Sequence, residues 1–164
     1  MREMYISPSR YGYDNDVYFY GNMAGVSRNG KWGFINREGT LIVPLQYDDI
    51  EIIDEGFAFV TGVMLKVNGR PTWGLINNEG KQIIPVKYDE IDLFNGGLAR
   101  VRLNGHWGLV DEQGVEVAPT MYSEKEIVQL KALVATGEYS GTQEQQYREA
   151  HEEFQNWKKN KGKV

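Results

Sequence analysis

The stretch Asn104-Gly-His-Trp-Gly-Leu-Val-Asp-Glu-Gln-Gly114 is met twice earlier in the chain, as Asn68-Gly-Arg-Pro-Thr-Trp-Gly-Leu-Ile-Asn-Asn-Glu-Gly80 and as Asn29-Gly-Lys-Trp-Gly-Phe-Ile-Asn-Arg-Glu-Gly39. Counted from each Trp-Gly pair (Trp32, Trp73, Trp107), a Gly stands seven residues on (Gly39, Gly80, Gly114), a Pro twelve on (Pro44, Pro85, Pro119) and a Tyr fifteen on (Tyr47, Tyr88, Tyr122). Three tandem copies of one unit organise the chain.

The Asn-Gly pair is a hairpin signal, because a two-residue primed turn needs positive φ at both central positions and Asn then Gly tolerate it best. Each copy turns one strand back into the Trp-Gly strand, and Arg70-Pro71-Thr72 is expected to widen the second hairpin. The β-rich run after Trp-Gly ends at a second turn closed by Gly39, Gly80 or Gly114. The returning run is stopped by Pro, which cannot donate to a ladder. Polar connections, Tyr47-Asp48-Asp49-Ile50 and Tyr88-Asp89-Glu90-Ile91, lead into the next unit. Each unit of roughly 40 residues thus reads as three short antiparallel strands with no room for a helix.

Upstream, Val17-Tyr-Phe-Tyr20 and Gly56-Phe-Ala-Phe-Val60 begin twelve residues before their Asn-Gly, but Gly97-Leu-Ala-Arg-Val101 begins only seven before its own. The five extra residues are expected to make a bend or bulge at Gly25 and Gly62. One such unit cannot cover its own apolar face, so units pack on one another, with the repeat Trp and Tyr side chains as core. The Gly after each Trp permits close strand approach.

At Tyr122 the chain changes class. Ser123-Glu-Lys-Glu126 is a capping box, Ile127, Leu130 and Val134 or Leu133 recur at helical spacing, and Gly137 is placed to end that helix. Thr142-Gln-Glu-Gln145 opens a second helix, on which Tyr147, Ala150, His151, Phe154 and Trp157 share a face ahead of a lysine-rich end. The fold class is therefore mainly β, with an irregular lead-in over 1–16, a three-unit β domain over 17–122 and a C-terminal αα-hairpin over 123–164. The hairpin either caps the last unit's open edge or forms a partner surface.

The element Lys31-Trp-Gly-Phe-Ile-Asn36-x-x-Gly39, then Ile42-Val43-Pro44-x-x-Tyr47-Asp48, resembles the WG (KWG) repeat family, found as tandem arrays in many bacterial proteins. The resemblance covers about 17–122. It implies a β-repeat interaction scaffold with no family-wide catalytic residue. Thr72 and His106 replace the Lys before Trp73 and Trp107, and Met121-Tyr122-Ser123 replaces the Tyr-Asp ending in the last copy.

Composition narrows the function classes. At 164 residues, 41% hydrophobic and 12% aromatic, the chain is globular and large enough for a small repeat domain with an appendage. A net charge of -5 with a pI near 5.1 disfavours nucleic acid and anionic membranes as partners. Absence of cysteine excludes disulfides, Cys-ligated zinc and thiol nucleophiles. No apolar run follows Arg2 and no stretch reaches membrane-span length, so a cytoplasmic location is expected.

His106 and His151 lie on different modules, which argues against a His-based metal site or triad. Asp48-Asp49, Asp89-Glu90 and Asp54-Glu55 suggest a carboxylate pair or cation site, yet their recurrence at equivalent positions marks solvated turn residues. No catalytic residue, cofactor or metal is assigned. The expected function is a non-enzymatic protein-binding or adaptor module, with Tyr147, His151, Phe154 and Trp157 as partner-binding residues and a homodimer through the C-terminal helices as one form of it. The alternatives are a carbohydrate or peptide receptor, a carboxylate hydrolase, or a phage or bacterial conflict factor that sequesters a host protein.

Overall fold

The computed structural model describes residues 2–6, 12–53, 60–93 and 97–161, and the chain divides into two compact units, Met1–Asp89 and Glu90–Val164. The first unit holds two antiparallel sheets. One runs in order β1 (Arg2–Ile6), β2 (Val17–Tyr20), β3 (Met23–Arg28), β4 (Lys31–Ile35), β5 (Leu41–Tyr47). The other runs β6 (Asp49–Ile53), β7 (Val60–Val67), β8 (Arg70–Ile76), β9 (Gln82–Tyr88). The second unit holds a sheet of β10 (Glu90–Leu93), β11 (Leu98–Leu103), β12 (His106–Asp111) and β13 (Glu116–Tyr122), followed by α1 (Glu124–Thr136) and α2 (Gln143–Asn160).

The fold class is that expected, but each repeat carries four strands rather than three. The polar segments after Tyr47 and Tyr88 are themselves strands, β6 and β10, because Ile50 and Ile91 alternate with acids and pair across to β7 and β11. The lead-in over 1–16 is likewise not wholly irregular, since β1 pairs antiparallel with β2.

The repeat offsets now have causes. Trp and the Tyr fifteen residues on are direct cross-strand partners in all three sheets: Trp32 with Tyr47, Trp73 with Tyr88, Trp107 with Tyr122. Between them the register slips twice, so the intervening Gly lies against a bulge. A Cβ on Gly74 would sit 2.6 Å from the Ile84 carbonyl oxygen, and one on Gly108 would sit 2.6 Å from that of Ala118. The first copy repeats this with Gly33 against the Val43 carbonyl. Glycine is the only residue that fits.

The bulges thus fall beside Gly33, Gly74 and Gly108, not at Gly25 and Gly62, which pair regularly with Phe34 and Leu75. Nor does Arg70-Pro71-Thr72 widen its turn. The Asn68-Gly69 turn stays at two residues, and the ladder is instead longer, with Lys66 opposite Pro71 and Leu65 opposite Thr72. The hydroxyl of Thr72 donates to the Leu65 carbonyl at 2.7 Å. Residues 54–59, including Asp54-Glu55, lie outside the described residues.

Turn chemistry is copied as closely. Asn29-Gly30, Asn68-Gly69 and Asn104-Gly105 all have positive φ at both positions. At the second turn the side-chain oxygen of Asn36 accepts from the N–H groups of Glu38 and Thr40, that of Asn77 from Glu79 and Lys81, and that of Asp111 from Gln113 and Val115. Only an oxygen is required, which is why Asp substitutes for Asn in the third copy.

In the first unit Met23, Phe34, Val43 and Tyr47 of one sheet share a core with Val63 and Ile76 of the other. Val17, Phe19, Ala24, Val26 and Ile35 form a second cluster. Phe34 and Ile35 are consecutive and both buried, so β4 is covered on both faces.

Neighbouring repeats are also joined by carboxylates. Asp48 takes the Lys66 N–H at 2.8 Å and the Lys31 ammonium at 2.5 Å, while its own N–H bonds the Met64 carbonyl. Asp14, also preceded by a Tyr, does the same to the first repeat, accepting from the Asn29 N–H and donating to the Ser27 carbonyl. The Lys31 ammonium and the Lys66 N–H hold the Asp48 carboxyl below its ordinary 3.8. A carboxyl with a lowered folded pKa contributes stability above the unfolded value and loses it as pH falls through the folded one. Asp48→Asn is therefore expected to make unfolding less sensitive to acid. Urea midpoints at about pH 6 and about pH 3 check this, and an equal acid-induced drop in both proteins would contradict it.

Candidate functional site

The C-terminal helices are built by the caps read from the sequence. The Ser123 hydroxyl accepts from the Glu126 N–H while the Glu126 carboxylate accepts from the Ser123 N–H, and Thr142 and Gln145 repeat the arrangement. Gly137 ends α1 in extended rather than left-handed backbone, its N–H bonding the Leu133 carbonyl. The helices run in opposite directions, since Lys158 in the last turn of α2 bridges Glu126 in the first turn of α1 at 2.7 Å. That ion pair, with the Ser123 N–H, lowers the Glu126 carboxyl from its ordinary range.

Both helices seat on β13 and its neighbours. Ile127 and Leu130 of α1 and Tyr147, Ala150 and Phe154 of α2 share one core with Leu98, Trp107, Leu109, Val117, Ala118 and Tyr122. Tyr122 is at its centre, fully buried, edge-on to the rings of His151 and Phe154. In the tautomer that leaves Nδ1 bare, its hydroxyl donates to His151. Burial pushes the Tyr122 and Tyr147 phenols up to about 12.

Four residues were expected to form one partner face, and the structure separates them. Tyr147 and Phe154 are buried in the second unit's own core and His151 is half-buried against Tyr122. Helical periodicity brings 147, 150 and 154 down on the sheet, so the shared face is spent on packing. Trp157, 53% exposed, is the member left outside. The other three tryptophans are buried or half-buried.

Trp157 borders two grooves. One, of about 410 Å³, is lined by Gln129, Leu133, Glu153, Phe154 and Trp157. The other, of about 330 Å³, is bounded by Trp157 with Lys125, Lys158 and Lys161 and by Ser123, Glu126 and Gln129. The Trp157 ring leans on Phe154 at 5.8 Å between centroids, and the Lys161 ammonium lies 4.9 Å from the ring centre. Gln129, Leu133 and Lys125 were not foreseen, because they come from α1 and only the antiparallel docking of the helices brings them to Trp157.

Another unforeseen residue is Arg100. It occupies the position that is Gly25 and Gly62 in the earlier copies, each opposite the second residue after Trp. Its guanidinium stacks 4.3 Å from the Trp107 ring centre and reaches Asp92 at 2.7 Å and Glu124 at 3.6 Å, tying α1 to the sheet.

Among the described residues the recurrent acids assemble no site. Asp48 is committed to Lys31 and Lys66, Asp89 faces Arg70 at 3.6 Å, and Glu90 faces Arg102 at 3.8 Å. Among the described residues no three His, Asp or Glu side chains are grouped to hold a metal ion. No described helix is long and apolar enough to cross a membrane.

With this geometry in hand, the family described as WG containing repeat matches residues 32–61 and 73–106, each segment beginning at a repeat Trp. The chain carries WG repeats. The copy from Trp107 lies beyond the matched segments, but its sheet has the same strand order, the same Trp–Tyr pairing and the same two register slips as the other WG sheets. No curated protein and no solved structure matches the chain.

Proposed function

We propose that this WG-repeat chain is a non-enzymatic, cytoplasmic protein-binding module of the adaptor type, and that it meets its partner through the face of the helix pair around Trp157. One observation carries the reading: a tryptophan more than half exposed beside a groove of about 410 Å³ with Leu133 and Phe154 in its walls. Exposed aromatics next to a pocket are what binding hot spots are made of, and a buried one contributes about 2 kcal/mol or more to association. The hydrolase reading has no comparable support, since the copied acids are committed to cations and to backbone N–H groups.

The test is retention of protein by immobilised full chain against its Trp157→Ala variant. A partner held by the first and lost by the second is expected, with unchanged far-ultraviolet circular dichroism of the variant because Trp157 lies outside the core. Equal retention by both, or none by either when a soluble second copy of the chain is offered as well as other proteins, would overturn the reading.

A further inference from the structure

The residues around Trp157 on α2 carry a pattern that limits what covers them. Glu149, Glu153, Trp157 and Lys161 follow one another at four-residue intervals, and all four are exposed. On a helix that spacing is a single stripe, and Lys161, the capping residue just past α2, continues it in helical backbone. Glu153 stands four residues before Trp157 and Lys161 four after, so the charges flanking the indole are opposite in sign.

When two identical helices pack antiparallel about a two-fold axis, a residue n positions before the axis meets the residue n positions after it on the other helix. An axis at Trp157 therefore sets Lys161 of each copy opposite Glu153 of the other, with both indoles at the centre. A stripe with like charges on either side of the tryptophan would repel itself in this arrangement. The groove beside Trp157 is bounded by Leu133 and Phe154 and has room for a second indole.

We infer that Trp157 pairs with Trp157 of a second copy of this chain, α2 against α2, with two Lys161–Glu153 ion pairs flanking the indoles. The inference rests on the protein-binding reading above and names the occupant of that face. Glu153 accepts from the Tyr139 hydroxyl at 2.7 Å, which holds its carboxylate at the stripe. Lys161 lies against the Trp157 ring, on the same stripe.

Sedimentation equilibrium of the full chain over a concentration series tests this. The expected mass at high concentration is twice the 18.7 kDa of one chain. Trp157→Ala is expected to raise the dissociation constant about a thousandfold, as loss of two symmetry-related hot spots of about 2 kcal/mol each would. Lys161→Glu sets acid against acid at both flanks and is expected to raise it about tenfold, and adding Glu153→Lys to recover most of that loss. Trp157 and Lys161 are exposed, so their variants keep the fold, which circular dichroism verifies. A single-chain mass at every concentration overturns the inference, as does a charge-swapped double variant no tighter than Lys161→Glu alone. If the chain stays single yet a different protein is retained through Trp157, self-pairing falls and the protein-binding reading stands. A single chain that retains nothing removes both.

Discussion

Gly108→Ala is expected to lower the stability of the second unit by about 3 kcal/mol, a large effect for one added methyl group. The new Cβ would lie 2.6 Å from the Ala118 carbonyl oxygen and 2.9 Å from the Pro119 carbonyl carbon. These are backbone atoms of a bulge that the Trp107–Tyr122 pair fixes on one side and the Leu109–Ala118 pair on the other. A flexible side chain in that place would swing away, whereas a paired strand has to move as a whole. Urea unfolding followed by far-ultraviolet circular dichroism measures the shift in midpoint, and the slope should be unchanged. A loss below about 1 kcal/mol would show that the bulge relaxes easily and that glycine here is not a steric requirement.

Tyr122→Ala is expected to cost about 4 kcal/mol, as for other buried aromatics cut to alanine. The ring is fully buried, pairs across the sheet with Trp107 and packs against Phe154 and His151. With Val117 and Ala118 it is the part of the last strand that shares a core with α2. Tyr122→Phe keeps the ring and removes only the hydroxyl bonded to His151, for an expected loss of about 1 kcal/mol. Denaturant unfolding of both proteins gives the comparison. If the two cost the same, the hydroxyl rather than the ring dominates, and the account of this core is wrong.

How far the sequence discloses this molecule depends on the range of the interaction. The Asn-Gly turns, the Gly at the second turn and both capping boxes are local, and each was legible because a few adjacent residues meet the whole requirement. The Trp-to-Tyr offset was legible as periodicity, though its cause, a cross-strand pair spanning a bulge, is a tertiary fact. The fourth strand was missed because Asp49–Ile53 and Glu90–Leu93 are rich in acids, which are poor strand formers. Pairing and Ile50 or Ile91 burial override that tendency. Unequal spacing points to an insertion at Gly25 and Gly62, but both pair in regular register, and spacing alone does not show where a ladder slips.

At the candidate site the stripe on α2 was legible and its use was not. Amphipathic spacing shows which residues share a face but not where the supporting sheet ends, so Tyr147, His151 and Phe154 could not be told from Trp157. The same holds for Thr72, which departs from the Lys31 pattern. Arg70, two residues earlier, supplies the cation that reaches Asp89.

The carboxylate after the repeat tyrosine has a consequence for how such chains change over time. Asp14 and Asp48 follow Tyr13 and Tyr47 and make the same two backbone bonds to the repeat that comes next. Recombination between two Tyr-Asp dipeptides therefore exchanges a whole repeat and leaves a junction of familiar chemistry. After Tyr122 the residue is Ser123, whose oxygen reaches only three residues ahead, to the N–H of Glu126, and starts a helix. At this position Asp14 and Asp48 bond to the repeat that follows, whereas Ser123 bonds within its own helix turn.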